Sequence, residues 1–258
     1  MTDFEIKKEK ETQDLGRFVI EPLPAGYGST IGTALRRVLL SSLPGGAVAE
    51  VRFSGVPHPF TTIKGVKEDV VELVLNLKKV RFTVHGDGPY EGTIAIKGKK
   101  IVTAGDIKIS SEATVANPDL KIATLTDKSA ELSATLLVER GVGYKPAEER
   151  EGGKVGVIPL DSIFSPVVKV GFWVEETRVG RKANFDRLII EIATDGTIKP
   201  SAALAQSADI LSNYFGRFSG LRPAKAAVSH EEVAQSAKKE AKKAAKLIKK
   251  PASRKKKS

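Results

Sequence analysis

Cysteine is absent from the chain. Its absence excludes disulfides, thiolate nucleophiles and Cys-ligated zinc, and fits a cytoplasmic protein. Tryptophan and methionine occur once each, and aromatic residues make up 6% of the sequence. No run approaches about eighteen apolar residues, so no membrane-spanning helix is expected. The opening MTDFEIKKEK has no apolar core and no cleavage site, so no secretory signal is expected. Histidine is scarce, and His58, His85 and His230 fall in different segments, so no metal triad is visible. Nucleophile-elbow and phosphate-loop patterns do not occur, and no run of closely spaced aspartates suited to two magnesium ions is found. No catalytic, cofactor-binding or metal-binding residue is expected in this chain.

What is present suits a folded body. The 258 residues are 41% apolar, enough for a substantial core. The net charge of +11 is unevenly placed. From Arg222 to Ser258 there are 13 Lys/Arg against 3 Asp/Glu, whereas the preceding chain carries 29 against 28. The body is therefore nearly neutral, and charge alone does not make it a nucleic-acid binder.

Phe18 to Gly46 organises the rest. It reads as a strand, a Pro/Gly loop, an amphipathic helix and a Pro-Gly-Gly stop. Ser29 or Thr30 is the expected N-cap. Ile31, Ala34, Leu35, Val38, Leu39 and Leu43 recur at about 100° per residue and must face a core. Thr33, Arg36, Arg37 and Leu40 lie opposite. That outer face reads either as a solvated surface with one stray leucine or as a protein-docking face.

Val48 to Phe53 reads as a strand, and Lys67 to Lys78 as a second helix. The helix has Val70, Val71, Val74, Leu75 and Leu77 on its buried side, with Glu68 and Asp69 in its first turn. Lys78 and Lys79 complement its C-terminal dipole. From Val80 to Glu139 the period falls to two, a run of short strands. Arg140 to Lys154 reads as a loop. Val167–Glu176 and Arg187–Thr194 read as a strand pair with Val168, Val170, Phe172 and Val174 on one face. Pro200 opens a third helix. Its Leu204, Ala208, Leu211, Phe215 and Phe218 follow a heptad-like spacing, suited to helix-on-helix packing or to ordinary core packing.

Several motifs in fixed order carry a resemblance. Leu35-Arg36-Arg37-Val38-Leu39-Leu40-Ser41-Ser42-Leu43-Pro44-Gly45 leads. Lys64-Gly65-Val66, Glu68-Asp69 and Leu75-Asn76-Leu77-Lys78 follow. Arg140-Gly141-Val142-Gly143-Tyr144, Phe164-Ser165-Pro166-Val167 and Thr194-Asp195-Gly196-Thr197-Ile198 complete the set. Through about residue 220 the chain resembles the bacterial RNA polymerase alpha-subunit family. The resemblance implies an α+β fold with a discontinuous dimerisation domain, residues 1–46 and 166–220, and an inserted β-rich domain, residues 47–165. It implies a homodimer whose interface includes Leu35, Leu39, Leu204, Ala208, Leu211, Phe215 and Phe218. It places Arg37 and Leu40 at the beta subunit, and Lys78 and Leu160 at beta-prime. The chain would then act as an assembly platform in transcription, a non-catalytic subunit of a nucleotidyltransferase, cytoplasmic and associated with the nucleoid.

Two readings from other classes compete. Gly26-Tyr27-Gly28 with Gly32 imitates a dinucleotide loop, but the spacing is one residue too long and no acidic residue ends the next strand. The other is a stand-alone nucleic-acid binder acting through residues 221–258. This Lys/Ala-rich stretch shows none of the motifs of the family's helical C-terminal domain and is too short for one. Ser229-His230-Glu231-Glu232 resembles a capping box for a helix reaching Lys250. Such a tail reads as a disordered solubilising segment, a protein-docking helix or a DNA arm. Lys238, Lys239, Lys242, Lys243, Lys246, Lys249 and Lys250 are the candidate phosphate contacts of that arm.

Overall fold

The organising helix forms as its apolar period requires, packed across a sheet drawn from both ends of the folded chain. The computed structural model describes residues 4–150, 156–179 and 182–219. β1 (Glu5–Glu11) and β2 (Leu15–Pro24) precede α1 (Tyr27–Ser41), which is followed by β3 (Pro44–Phe53) and α2 (Val70–Leu77). Then come β4 (Phe82–Val84), β5 (Tyr90–Lys97), β6 (Ile101–Thr103), β7 (Lys108–Ile109), β8 (Ala113–Val115), β9 (Lys121–Thr124) and β10 (Glu131–Val142). The short strands β11 (Tyr144–Lys145), β12 (Ile158–Pro159) and β13 (Ser162–Ile163) lead to the long pair β14 (Val167–Val179) and β15 (Lys182–Thr194), and then to α3 (Pro200–Ser219).

One sheet has the order β1-β2-β15-β14, so its strands come from two separated stretches of sequence. A seven-stranded sheet, β7-β5-β10-β3-β4-β8 with β12 also on β3, is built from the stretch between them. The class is α+β with antiparallel pairing throughout. Leu35, Leu39 and Leu43 of the α1 segment pack with Phe18, Val170, Ile190, Ile192 and Leu204 over the first sheet. The larger core surrounds α2, with Leu73, Leu77, Phe82, Leu132 and Leu136 among its buried members. Residues up to Leu211 form one compact unit, and a second unit begins at Ser212, within α3.

Four local expectations are corrected. α1 starts at Tyr27, before Ser29 and Thr30, and neither caps it: its N-cap is Gly26, with φ 84° and no side-chain bond. Pro44-Gly45-Gly46 does not merely stop the helix but begins β3. α2 is shorter than expected. Asp69 is its N-cap, accepting from the Glu72 N–H at 2.7 Å, and its buried face is Val70, Leu73 and Leu77, while Val71 and Leu75 are exposed. Val168 does not share a face with Val170. The β14–β15 register shifts between Val167 and Lys169, a bulge that turns Val168 to solvent and buries Val167.

Candidate docking surfaces

Gly28 and Gly32 are the contact points between α1 and the first sheet. A methyl added at Gly28 would lie 2.7 Å from Val174, and one at Gly32 would lie 2.6 Å from the Phe172 ring. The Gly28 N–H donates to Asp186 Oδ2 at 2.9 Å. A carboxylate from β15 thus does the work of an N-cap for α1 and meets the positive end of its dipole. Sheet side chains back Gly28 and Gly32, and a carboxylate already sits at the Gly28 N–H. That is the wrong charge for a nucleotide phosphate.

The other side of α1 faces solvent. Thr33, Arg36, Arg37 and Leu40 are exposed, in the arrangement the sequence suggested. Among the described residues, no carboxylate lies within ion-pair distance of Arg36 or Arg37. A leucine between two guanidinium groups offers apolar area and planar donors together. Leu35 and Leu39 point the other way. They are 5% and 0% exposed in the chain's own core, so the expectation that they form a dimer surface is corrected.

Lys78 follows α2 directly and reaches β13's approach. Its Nζ donates to Asp161 Oδ2 at 2.8 Å and lies 5.9 Å from the centre of the Tyr144 ring. Asp161 Oδ1 accepts the Ala147 N–H at 2.9 Å. The Lys78 ammonium, then the Ala147 N–H, hold the Asp161 carboxyl below its ordinary range against the opposing effect of burial. Leu160 is 1% exposed, donates its N–H to the Ala49 carbonyl at 2.9 Å and belongs to the larger core. Its side chain cannot be a contact surface as expected. It anchors the segment that presents Asp161. Arg150 secures the same segment, donating to Glu139 at 2.9 Å, Ser162 Oγ at 2.7 Å and the Leu160 carbonyl at 3.3 Å.

Tyr144, whose ring lies by Lys78, is exposed and pairs with exposed Ile163 across β11 and β13, and Val142 at the end of β10 is exposed two residues before it. Sequence reasoning missed this apolar cluster because it treated Arg140 to Lys154 as a loop.

α3 begins under a remote carboxylate as well. Glu11 on β1 accepts the Ser201 N–H at 2.9 Å. Hydrogen bonds from Lys8 and then from Ser201 lower its pKa to about 2. Along α3, Leu204 is buried in the chain's own core, Leu211 is half-buried and Ala208 is exposed. Phe215 and Phe218 stand 63% and 66% exposed, joined by exposed Tyr214, which the heptad count passed over. The lysines Lys238, Lys239, Lys242, Lys243, Lys246, Lys249 and Lys250, and the Ser229 capping box, lie outside the described residues. No helix among the described residues is long and apolar enough to cross a membrane.

The described residues thus offer three outward faces of mixed apolar and charged character. Residues 51–165 match the family described as the RNA polymerase Rpb3/RpoA insert domain. The DNA-directed RNA polymerase subunit alpha of Oceanobacillus iheyensis is 46% identical over 226 residues, covering 84% of this chain and 72% of the relative. Those of Alkaliphilus oremlandii and Roseiflexus castenholzii are 47% and 48% identical, covering 79% and 78% of this chain. This chain spans 64% and 62% of their respective lengths. The chain belongs to the RNA polymerase alpha-subunit family.

Proposed function

We propose that this chain is the assembly subunit of a bacterial DNA-directed RNA polymerase. Two copies pair through the exposed face of α3, and each pair receives one beta and one beta-prime subunit. Residues 1–46 and 166–220 act as the dimerisation domain, and residues 47–165 as the inserted domain. The observation that carries the reading is the outer face of α1. Exposed Leu40 flanked by Arg36 and Arg37, neither of them ion-paired among the described residues, lies within the segment that bears the family motif. Arg37 and Leu40 meet beta. Lys78, with Tyr144 beside it and Ile163 paired to Tyr144, meets beta-prime. The chemistry of nucleotide addition belongs to the larger assembly, and this chain contributes placement. It works in the cytoplasm at the nucleoid, where the basic stretch from Arg222 to Ser258 holds DNA through backbone phosphates without reading sequence.

The test is stepwise capture by the tagged full chain. Arg37→Ala should leave the dimer intact and weaken beta capture by roughly 2 kcal/mol or more, as buried interface arginines do. Lys78→Ala should spare beta capture and impair the later beta-prime step. Equal loss of both partners in either variant would show that the two faces are not distinct.

A further inference from the structure

Arg81 lies three residues beyond Lys78 and ties the two sheets together. Its backbone N–H donates to Asn117 Oδ1 at 2.9 Å, which holds its own strand entry. Its guanidinium points the other way. Nη1 donates to the Ile163 carbonyl at 3.2 Å, and Nε lies 3.6 Å from Asp195 Oδ2. Ile163 ends β13, just before the chain crosses into β14, and Asp195 follows β15. The fork therefore grips both the crossing segment and the turn that leaves the first sheet.

Each end of that grip is itself fixed. Asp195 Oδ1 accepts from the Thr197 N–H at 3.1 Å and the Thr197 hydroxyl at 2.5 Å, and the Asp195 N–H donates to the Pro166 carbonyl at 3.0 Å. Thr83, on the same strand entry as Arg81, donates to the Thr197 carbonyl at 3.4 Å. The crossing is also tethered on its α1 side. Phe164 is buried, its N–H donates to the Gly143 carbonyl at 2.8 Å, and Ser165 Oγ donates to the Leu40 carbonyl at 3.2 Å. A side chain at Gly45 would overlap the Phe164 carbonyl oxygen, and one at Gly141 would lie 2.7 Å from the Phe164 ring. Leu40 is in the last turn of α1, so the crossing is attached directly to the α1 docking face.

We propose that Arg81 is a positioning residue: it locks the Lys78–Tyr144 face at one orientation to the α1 face, so that a single chain presents both at a set spacing. The inference rests on the assembly reading above. Arg81 touches neither partner in it. It acts through Asp195, itself mostly buried, and the Ile163 carbonyl, two partners that a planar fork reaches at once and an ammonium does not. Loss of such a coupling contact between two sites changes the linked step by roughly two- to thirtyfold.

The chain has no cysteine, so Cys introduced at exposed Ser29 and Glu72 takes a spin label at those two points alone. Labelled chain diluted into unlabelled chain reports the α1-to-α2 distance distribution within one copy. Arg81→Ala should broaden that distribution, leave dimerisation and beta capture at the parent level, and reduce beta-prime capture by the beta-bound form. Arg81→Lys should restore capture only in part. Asp195→Asn, nearly isosteric, should repeat the broadening from the other side should Arg81→Ala fold poorly. An unchanged, narrow distribution in both Arg81→Ala and Asp195→Asn overturns the proposal, as does full beta-prime capture by either. The distance readout needs no partner. Failure of the parent chain to capture beta or beta-prime would sink the assembly reading alone, without moving the distance result.

Discussion

Two rings on α3 make the self-association claim quantitative. Phe215 and Phe218 are about two-thirds exposed in one chain, at 63% and 66%. Fully burying a phenylalanine contributes roughly 1.5–3 kcal/mol, so covering the open part contributes about 1–2 kcal/mol per ring. A twofold contact uses each ring twice, giving about 4–8 kcal/mol for the four rings together. Phe215→Ser with Phe218→Ser should therefore weaken the dimer by about a thousandfold or more. Leu211 is left in place because it is half-buried against the chain's own core, where a polar side chain would damage the monomer. Sedimentation equilibrium reads the dissociation constant, and far-UV circular dichroism with a melting curve checks that the fold survives. A folded double variant with the parent dimerisation constant would refute the assignment of this face.

Acid should loosen the fold through its paired carboxylates. The Glu11 pKa falls from 4.5 to about 2 on folding, so its contribution is complete above the unfolded value and disappears as pH falls toward the folded one. Glu68 behaves in the same direction. Burial alone would raise its pKa, but bonds from Lys121 and Thr124 together outweigh it. Melting temperature should drop across that window, and Glu11→Gln should show a shallower drop. An identical pH profile for the variant would argue against Glu11 as the carboxylate that holds the start of α3. Gly32→Ala should press on Phe172 and Leu188 and destabilise by about 1–3 kcal/mol, read from chemical denaturation; no change would mean that α1 does not rest on the sheet there. Deleting Arg222–Ser258 should spare dimerisation and assembly and flatten the salt dependence of DNA binding by about 0.9 in log–log slope per lost phosphate contact. An unchanged slope removes the DNA-arm idea.

Strong periodicity was readable in advance, and long-range bonding was not. The α1 stripe from Ile31 to Leu43, the start of α3 at Pro200 and the β14–β15 pair all follow from local pattern. The caps of α1 and α3 come from Asp186 and Glu11, 158 and 190 residues away in sequence, and no local motif announces them. Ser29 and Thr30 looked like caps because they are the right residue types, but Gly26 had already turned the chain. α2 is apolar nearly all round, so hydropathy could not say that Leu73 faces in while Val71 and Leu75 face out. The bulge at Val168 breaks an alternation that sequence reasoning extended unbroken. At the candidate docking faces, exposure separates the residues. Arg37, Leu40 and Lys78 are presented outward or at the rim, whereas Leu35, Leu39 and Leu160 fill cores.

The central claim is tested most directly by co-expressing the chain with the beta and beta-prime subunits of its own source and weighing the purified product by native mass spectrometry. The account predicts one complex holding two copies of this chain with one beta and one beta-prime. Recovery of this chain free of both partners, while beta and beta-prime are present and soluble, would contradict it.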